Sequence, residues 1–168
     1  MADTEIWHLC KEADGYFQAK QLDKAESVYR KALDLDKDKA YSSMIHFRLG
    51  LIASVMHTPE EGIAELKQSL DDMTSFNGSD DAKQQLEQLT NYNLGQMIYD
   101  SIINGNETRS LDEAEQYFKN VLAIPVNNQD LIQPAQELLD NIRYMKNRGW
   151  VIVDKEGGVR KYSPPAYS

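Results

Sequence analysis

The chain has 168 residues, 41 % hydrophobic and 27 % charged, with only 9 glycines and 5 prolines, so it can bury a core unaided and is neither collagenous nor a low-complexity sequence. Its 18 Lys and Arg against 27 Asp and Glu leave a net charge of −9, which opposes general attraction to nucleic acid or anionic lipid. A lone cysteine, Cys10, excludes an internal disulfide and a multi-cysteine zinc site, and neither an apolar leader nor a run of about 18 apolar residues is present, so the expectation is a cytoplasmic protein without a membrane partner.

Apolar residues recur at three- and four-residue spacing through most of residues 4–147, the period that lays one stripe along a helix. Gln21-Leu22-Asp23 separates the first two predicted helices. At His57-Thr58-Pro59-Glu60-Glu61 another helix starts, with Thr58 as N-cap, Pro59 at the first helical position and Glu61 placed for a capping box; Ser110 with Glu113 repeats the device. Asn77-Gly78, Asn104-Gly105-Asn106 and Pro125–Asn128 are the other interruptions, because Asn and Gly accept left-handed turns and Pro removes a helix donor. Six helices are predicted, followed by a seventh.

The second helix of each pair carries one pattern: Ala25-x3-Tyr29-x2-Ala32, Gly62-x3-Leu66-x2-Ser69 and Ala114-x3-Phe118-x2-Val121. The first helices match too, through Ala13, Gly50 and Gly95, with Tyr16, Ala53 and Ile98 three residues on. Antiparallel helices approach closely only where side chains are small, and a large neighbour one turn away fills the space beside the contact. The small residues of each pair lie 12, 12 and 19 apart, so the third pair holds seven extra residues near 104–110.

These residues, with the pairs Leu49-Gly50 and Leu94-Gly95, resemble the tetratricopeptide repeat family, W-x2-L-G-x2-Y followed by A-x3-F and a late Pro. Leu9, His46 and Asn91 stand where the family has Trp, Glu12 replaces the usual Leu, and Lys37 takes the late Pro position of the first repeat. The resemblance implies an all-α fold, a right-handed stack of antiparallel helical hairpins (a TPR-like α-solenoid). Its domain would span 1–148, with repeats near 4–37, 40–73 and 80–124.

Residues 129–148 read as a capping helix with Leu131, Ala135, Leu138, Leu139, Ile142 and Met145 on one side. After Gly149 the period changes to that of a strand, and Trp150–Val153 and Val159–Tyr162 flank Asp154-Lys155-Glu156-Gly157-Gly158, predicting a short β-hairpin over 149–162. A tail, 163–168, contains Pro164-Pro165-Ala166-Tyr167, the P-P-x-Y form that WW domains bind. Charge is uneven: residues 1–140 sum to −13 and residues 141–168 to +4. That basic end complements a helix dipole, and it also offers a contact for an acidic surface of a second subunit.

Catalytic groups do not converge in the sequence. His8, His46 and His57 form no metal-ligand spacing, the phosphate-loop, dinucleotide and nucleophile-elbow patterns are absent, and the acidic clusters Asp34/Asp36/Asp38 and Asp71/Asp72 lack the Gly and terminal Glu of a calcium loop. Cys10 beside Lys11 and His8 reads as a buried structural thiol. The expectation is a non-enzymatic protein without catalytic, cofactor or metal residues.

In the family, the first helix of each repeat lines a concave groove. The matching positions here give a candidate partner-binding set of Trp7, Phe17, Met44, Phe47, Leu51, Tyr92, Gln96 and Tyr99, with Trp150, Arg160, Lys161 and Tyr162 as a secondary contact. Five positions by which some relatives clamp a chaperone's C-terminal carboxylate are Cys10, Asp14, Arg48, Leu89 and Asn93 here; only Asn93 keeps its type, which argues against that ligand. An aromatic and apolar lining fits an apolar or amphipathic segment of a protein partner. The function expected is therefore an adaptor or assembly module. A small holdase-like or secretion-type chaperone and a homo-oligomer joined through the hairpin are the alternatives.

Overall fold

Helix ends in this protein are set by local chemistry that is mostly visible residue by residue. The computed structural model describes residues 2–106, 108–148, 151–153 and 159–161, with backbone alone at 2, at 148 and in the strands. They form seven α-helices: α1 (Ala2–Gln18), α2 (Leu22–Leu35), α3 (Ser42–Met56), α4 (Pro59–Asp71), α5 (Asp80–Ile103), α6 (Leu111–Ala123) and α7 (Gln129–Arg148). Strands β1 (Val151–Val153) and β2 (Val159–Lys161) pair antiparallel, with Val151 opposite Lys161 and Val153 opposite Val159. The connector 154–158 and the tail lie outside the described residues. The chain divides into two units, Met1–Leu86 and Glu87–Ser168.

In the first unit α1 packs on α2, α3 on α4, and α2 on α3. The first break falls at Ala19–Gln21 instead of Gln21–Asp23. Lys20 adopts the left-handed conformation (φ 61°), and Gln21 N and Lys20 N donate back to the Tyr16 and Phe17 carbonyls, closing the end of α1 before α2 begins at Leu22. Thr58 Oγ1 accepts from Glu61 N at 3.2 Å with Pro59 in the first helical position, as its sequence predicts. A 3-10 turn at Asp72–Ser75, which periodicity did not disclose, continues α4.

Ala25, Tyr29 and Ala32 of α2 and Gly62, Leu66 and Ser69 of α4 are all buried. Gly50 stands so near α4 that a Cβ on it would lie 2.8 Å from Leu66 Cγ and 3.1 Å from the Gly62 carbonyl. At the N-terminal end of α3, Ser43 and Ser69 exchange buried hydrogen bonds, each hydroxyl donating to the other's carbonyl at 2.7 Å. These bonds satisfy polar groups that would otherwise be costly inside the helix pair.

The second unit repeats the contact. A Cβ on Gly95 of α5 would lie 2.9 Å from the Phe118 ring of α6, and Ala114, Phe118 and Val121 are buried. Ser110 Oγ caps α6 by accepting from Asp112 N at 3.1 Å. Gln88, fully buried on α5, donates through Nε2 to the carbonyls of Val121 and Val126, so α5 supplies donors to the C-terminal end of α6 and the loop behind it. α7 packs on α6 through the predicted stripe, with Leu131, Ala135, Leu139, Ile142 and Met145 buried and Leu138 half-buried.

Replacing Gly50 or Gly95 by Ala should cost about 1–2 kcal/mol net, overpacking against Leu66 or Phe118 outweighing the better helix propensity of Ala. Chemical denaturation of each variant checks this. Lys20→Gly should stabilise by about 0.5–1 kcal/mol through relief of the left-handed strain. Lys39→Gly should bring no comparable gain although Lys39 is also left-handed (φ 58°), because its ammonium pairs with Asp72.

Candidate functional site

Most helices of a small protein bury one face and show water the other. α3 departs from this, because Ile45, Leu49 and Ile52 lie in the first unit's core with Met44 packed against it, while Phe47, Leu51 and Val55, spaced four apart, make a second apolar stripe. Phe47 is buried at 4 % exposure and offers no surface, Met44 and Leu51 are half-buried, and Val55 is 73 % exposed at the helix end, beside Met56. On α1, Trp7 is 47 % exposed, with His8 edge-on at 5.0 Å and Lys11 Nζ 5.7 Å from its ring centroid. A cation over an indole holds the ring outward while leaving part of it open.

The two helices are joined across this face by Arg48. Its Nε lies 3.3 Å from Asp14 Oδ1, and its guanidinium sits over the half-buried Phe17 ring at 5.2 Å. Tyr29 of α2 donates to the same Asp14 oxygen at 2.5 Å, and burial, then that bond to Asp14, drive the Tyr29 hydroxyl far above its ordinary pKa. Asp14 and Arg48 are thus internal partners. Cys10 is buried, and burial, with the Asp14 and Asp36 charges behind it, pushes its thiol up to about 12, so it is an inert packing group at neutral pH.

Asp36 and Asp72, members of the two acidic clusters whose sequence reads as solvated helix ends, are instead buried and anchor a polar network. Asp36, at the end of α2, accepts from the Ala40 and Tyr41 amides at 3.0 and 2.8 Å and shapes the entry into α3. Asp72, at the end of α4, accepts from Ser42 Oγ at 2.6 Å, Lys39 Nζ at 2.8 Å and Gln68 Nε2 at 3.1 Å. His46 Nδ1 lies 2.6 Å from Glu65 Oε2, and Arg30 reaches the other Glu65 oxygen at 2.5 Å. For both Glu65 and Asp72, burial would raise the pKa. Hydrogen bonds from His46 and Arg30 to Glu65, and from Lys39 and Ser42 to Asp72, outweigh it and hold both carboxyls below their usual values.

The remaining sequence-derived residues lie in the second unit. Tyr92 is half-buried with its ring edge-on to Phe118 at 6.1 Å, Tyr99 OH approaches Met145 Sδ at 4.0 Å, and Gln96 donates to Asp100 at 3.0 Å. Each ring thus rests in part on a neighbouring helix, Tyr92 on α6 and Tyr99 on α7, and keeps part of its surface open. Asn93 donates to the Leu89 carbonyl of its own helix at 2.8 Å. In the basic end, Lys146 pairs with Asp112 and, at 2.6 Å, with Glu115 of α6; these two bonds raise its pKa to about 12. Arg160 and Lys161 stand on β2 opposite Ile152 and Val151. Trp150 and Tyr162 lie outside the described residues.

Among the described residues, no group of three His, Cys, Asp or Glu is placed to hold a metal ion, and no helix is long and apolar enough to cross a membrane. No protein-family model matches the sequence, and no curated protein resembles it closely enough to count as a relative.

Because Glu65 and Asp72 are more acidic folded than unfolded, their contribution to stability is complete above the ordinary carboxylate range and disappears as pH falls through it and below. Urea denaturation across an acid pH series should show that decline in the parent protein. Glu65→Gln with Asp72→Asn should be less stable near neutrality and show a flatter acid limb.

Proposed function

We propose that this protein is a non-enzymatic interaction module, an adaptor or assembly subunit, that binds an apolar or amphipathic segment of a protein partner on the α1–α3 face. The observation that carries the reading is the apolar side chains left open on these two helices, Val55 and Met56 at the end of α3 after the half-buried Leu51, and Trp7 on α1. Apolar surface left open at a helix end gains free energy when a partner covers it, and tryptophan is among the side chains enriched where interfaces draw most of their energy.

The same reading takes the helical hairpins as degenerate tetratricopeptide-like repeats. Supporting it are the small residue on each first helix and the buried small-large pattern on each second helix, with Gly50 and Gly95 in close approach to Leu66 and Phe118. Within the proposed site Trp7, Leu51 and Val55 touch the partner, and Met44 and Phe17 form its floor. Arg48 keeps α1 and α3 in register, since it holds Asp14 and Phe17 together. Tyr92, Gln96 and Tyr99 have a structural task in this reading.

The test is selection from a displayed peptide library, followed by titration of the enriched peptides. Trp7→Ala should weaken binding by about 2 kcal/mol or more. Val55→Ser should weaken it less, and both variants should keep the parent's helical circular dichroism. Unchanged affinity in Trp7→Ala, or enrichment of peptides without apolar residues, would sink the proposal.

A further inference from the structure

Two Asn-Gly dipeptides interrupt the helices, Asn77-Gly78 before α5 and Asn104-Gly105 after it. In such a pair the glycine nitrogen, unshielded by any side chain, can attack the side-chain carbonyl carbon of the asparagine. The N–Cγ bond forms, the Cγ–Nδ2 bond breaks, and the displaced nitrogen leaves as ammonia with the proton given up by the backbone amide. Water then adds to either carbonyl of the resulting succinimide, giving aspartate or isoaspartate. No oxidant, reductant or cofactor enters the balance.

The fold gives the two dipeptides unlike surroundings. At the end of α5, Gly105 is left-handed (φ 111°), its N donates to the Ile102 carbonyl at 3.1 Å, and Asn106 N donates to the Ser101 carbonyl at 3.0 Å. This is the paired-bond closure of a glycine-terminated helix, and it ties up the nitrogen that would have to attack. Gly78 N has no hydrogen-bond partner among the described residues, and neither has the side chain of the exposed Asn77. Only the Asn77 backbone nitrogen is held, donating to the Ala40 carbonyl at 3.0 Å.

We propose that Asn77 is a site of spontaneous, structure-selected deamidation and that the helix closure protects Asn104 from the same reaction. The aspartate product adds a negative charge just before the acidic first turn of α5, where the helix dipole favours it. Isoaspartate instead routes an extra methylene through a tight connection, in which even a Cβ at Gly78 would fall 2.4 Å from the Phe76 ring. That product therefore strains the link to Ala40.

The full chain is incubated in mildly alkaline buffer, with and without denaturant, and both peptides are followed by mass spectrometry with fragmentation that separates aspartate from isoaspartate. In the folded protein Asn77 should convert on the order of tenfold faster than Asn104, equivalent to ~1.4 kcal/mol of barrier. In denaturant the two rates should converge, because only the shared dipeptide then remains. Equal rates in the folded protein, or a ratio that denaturant leaves unchanged, would overturn the proposal.

Discussion

The helices of a hairpin run past each other closely here whether the turn holds two residues, as between α3 and α4, or seven, as between α5 and α6, and the distance of closest approach governs almost everything else in this protein. At Gly50 and Gly95 that approach leaves no room for a Cβ, and the space is filled from the facing helix by Leu66 and Phe118, both completely buried. Each of those side chains contributes roughly 2–3 kcal/mol by leaving water. That gain requires backbones this close, because a wider gap would forfeit dispersion contacts along the whole seam. Glycine is a weak helix former, so its presence in the middle of two helices reflects packing overriding local preference.

The charges serve that geometry. A carboxylate at the C-terminal end of a helix opposes the dipole, yet Asp36 and Asp72 stand at the ends of α2 and α4 and are buried. Asp36 offsets the cost by accepting two backbone amides of the next connection, and Asp72 by accepting from Ser42, Lys39 and Gln68. The outcome is a fixed entry angle for α3. The acidic excess of the sequence is therefore partly structural wiring, and in the basic end Lys146 is committed to two α6 carboxylates.

With its entry fixed, α3 presents one stripe to the core and another away from it. Outside the core stripe Phe47 is buried as well and Val55 stays exposed at the helix end, while Arg48 ties α3 to Asp14 and Phe17 of α1. Rigid placement on helices suits recognition of a segment by shape and apolar burial, since little ordering entropy is left to lose on the protein's side.

The repeat of small and large residues was legible in the sequence because its cause is local and periodic: Ala25, Tyr29 and Ala32, and their counterparts on α4 and α6, are buried as their spacing implies. Helix starts at Thr58 and Ser110 were legible for the same reason, a cap being a contact between residues two or three apart. Lys20 ending α1 was not, since nothing in a lysine announces a left-handed conformation that the closing bonds to Tyr16 and Phe17 impose. Nor did periodicity separate an exposed ring from a packed one. Trp7, Phe47, Tyr92 and Tyr99 share helical spacing, yet Trp7 is open, Phe47 is buried, and the two tyrosines lean on Phe118 and Met145. The sequence by itself determined which residues form helices and which pairs pack closely, because both follow from neighbours within two turns. Only the tertiary structure decided which apolar side chains stay exposed and which carboxylates, such as Asp14 and Asp72, are spent inside, because their burial and pairing depend on residues 15 to 33 positions away.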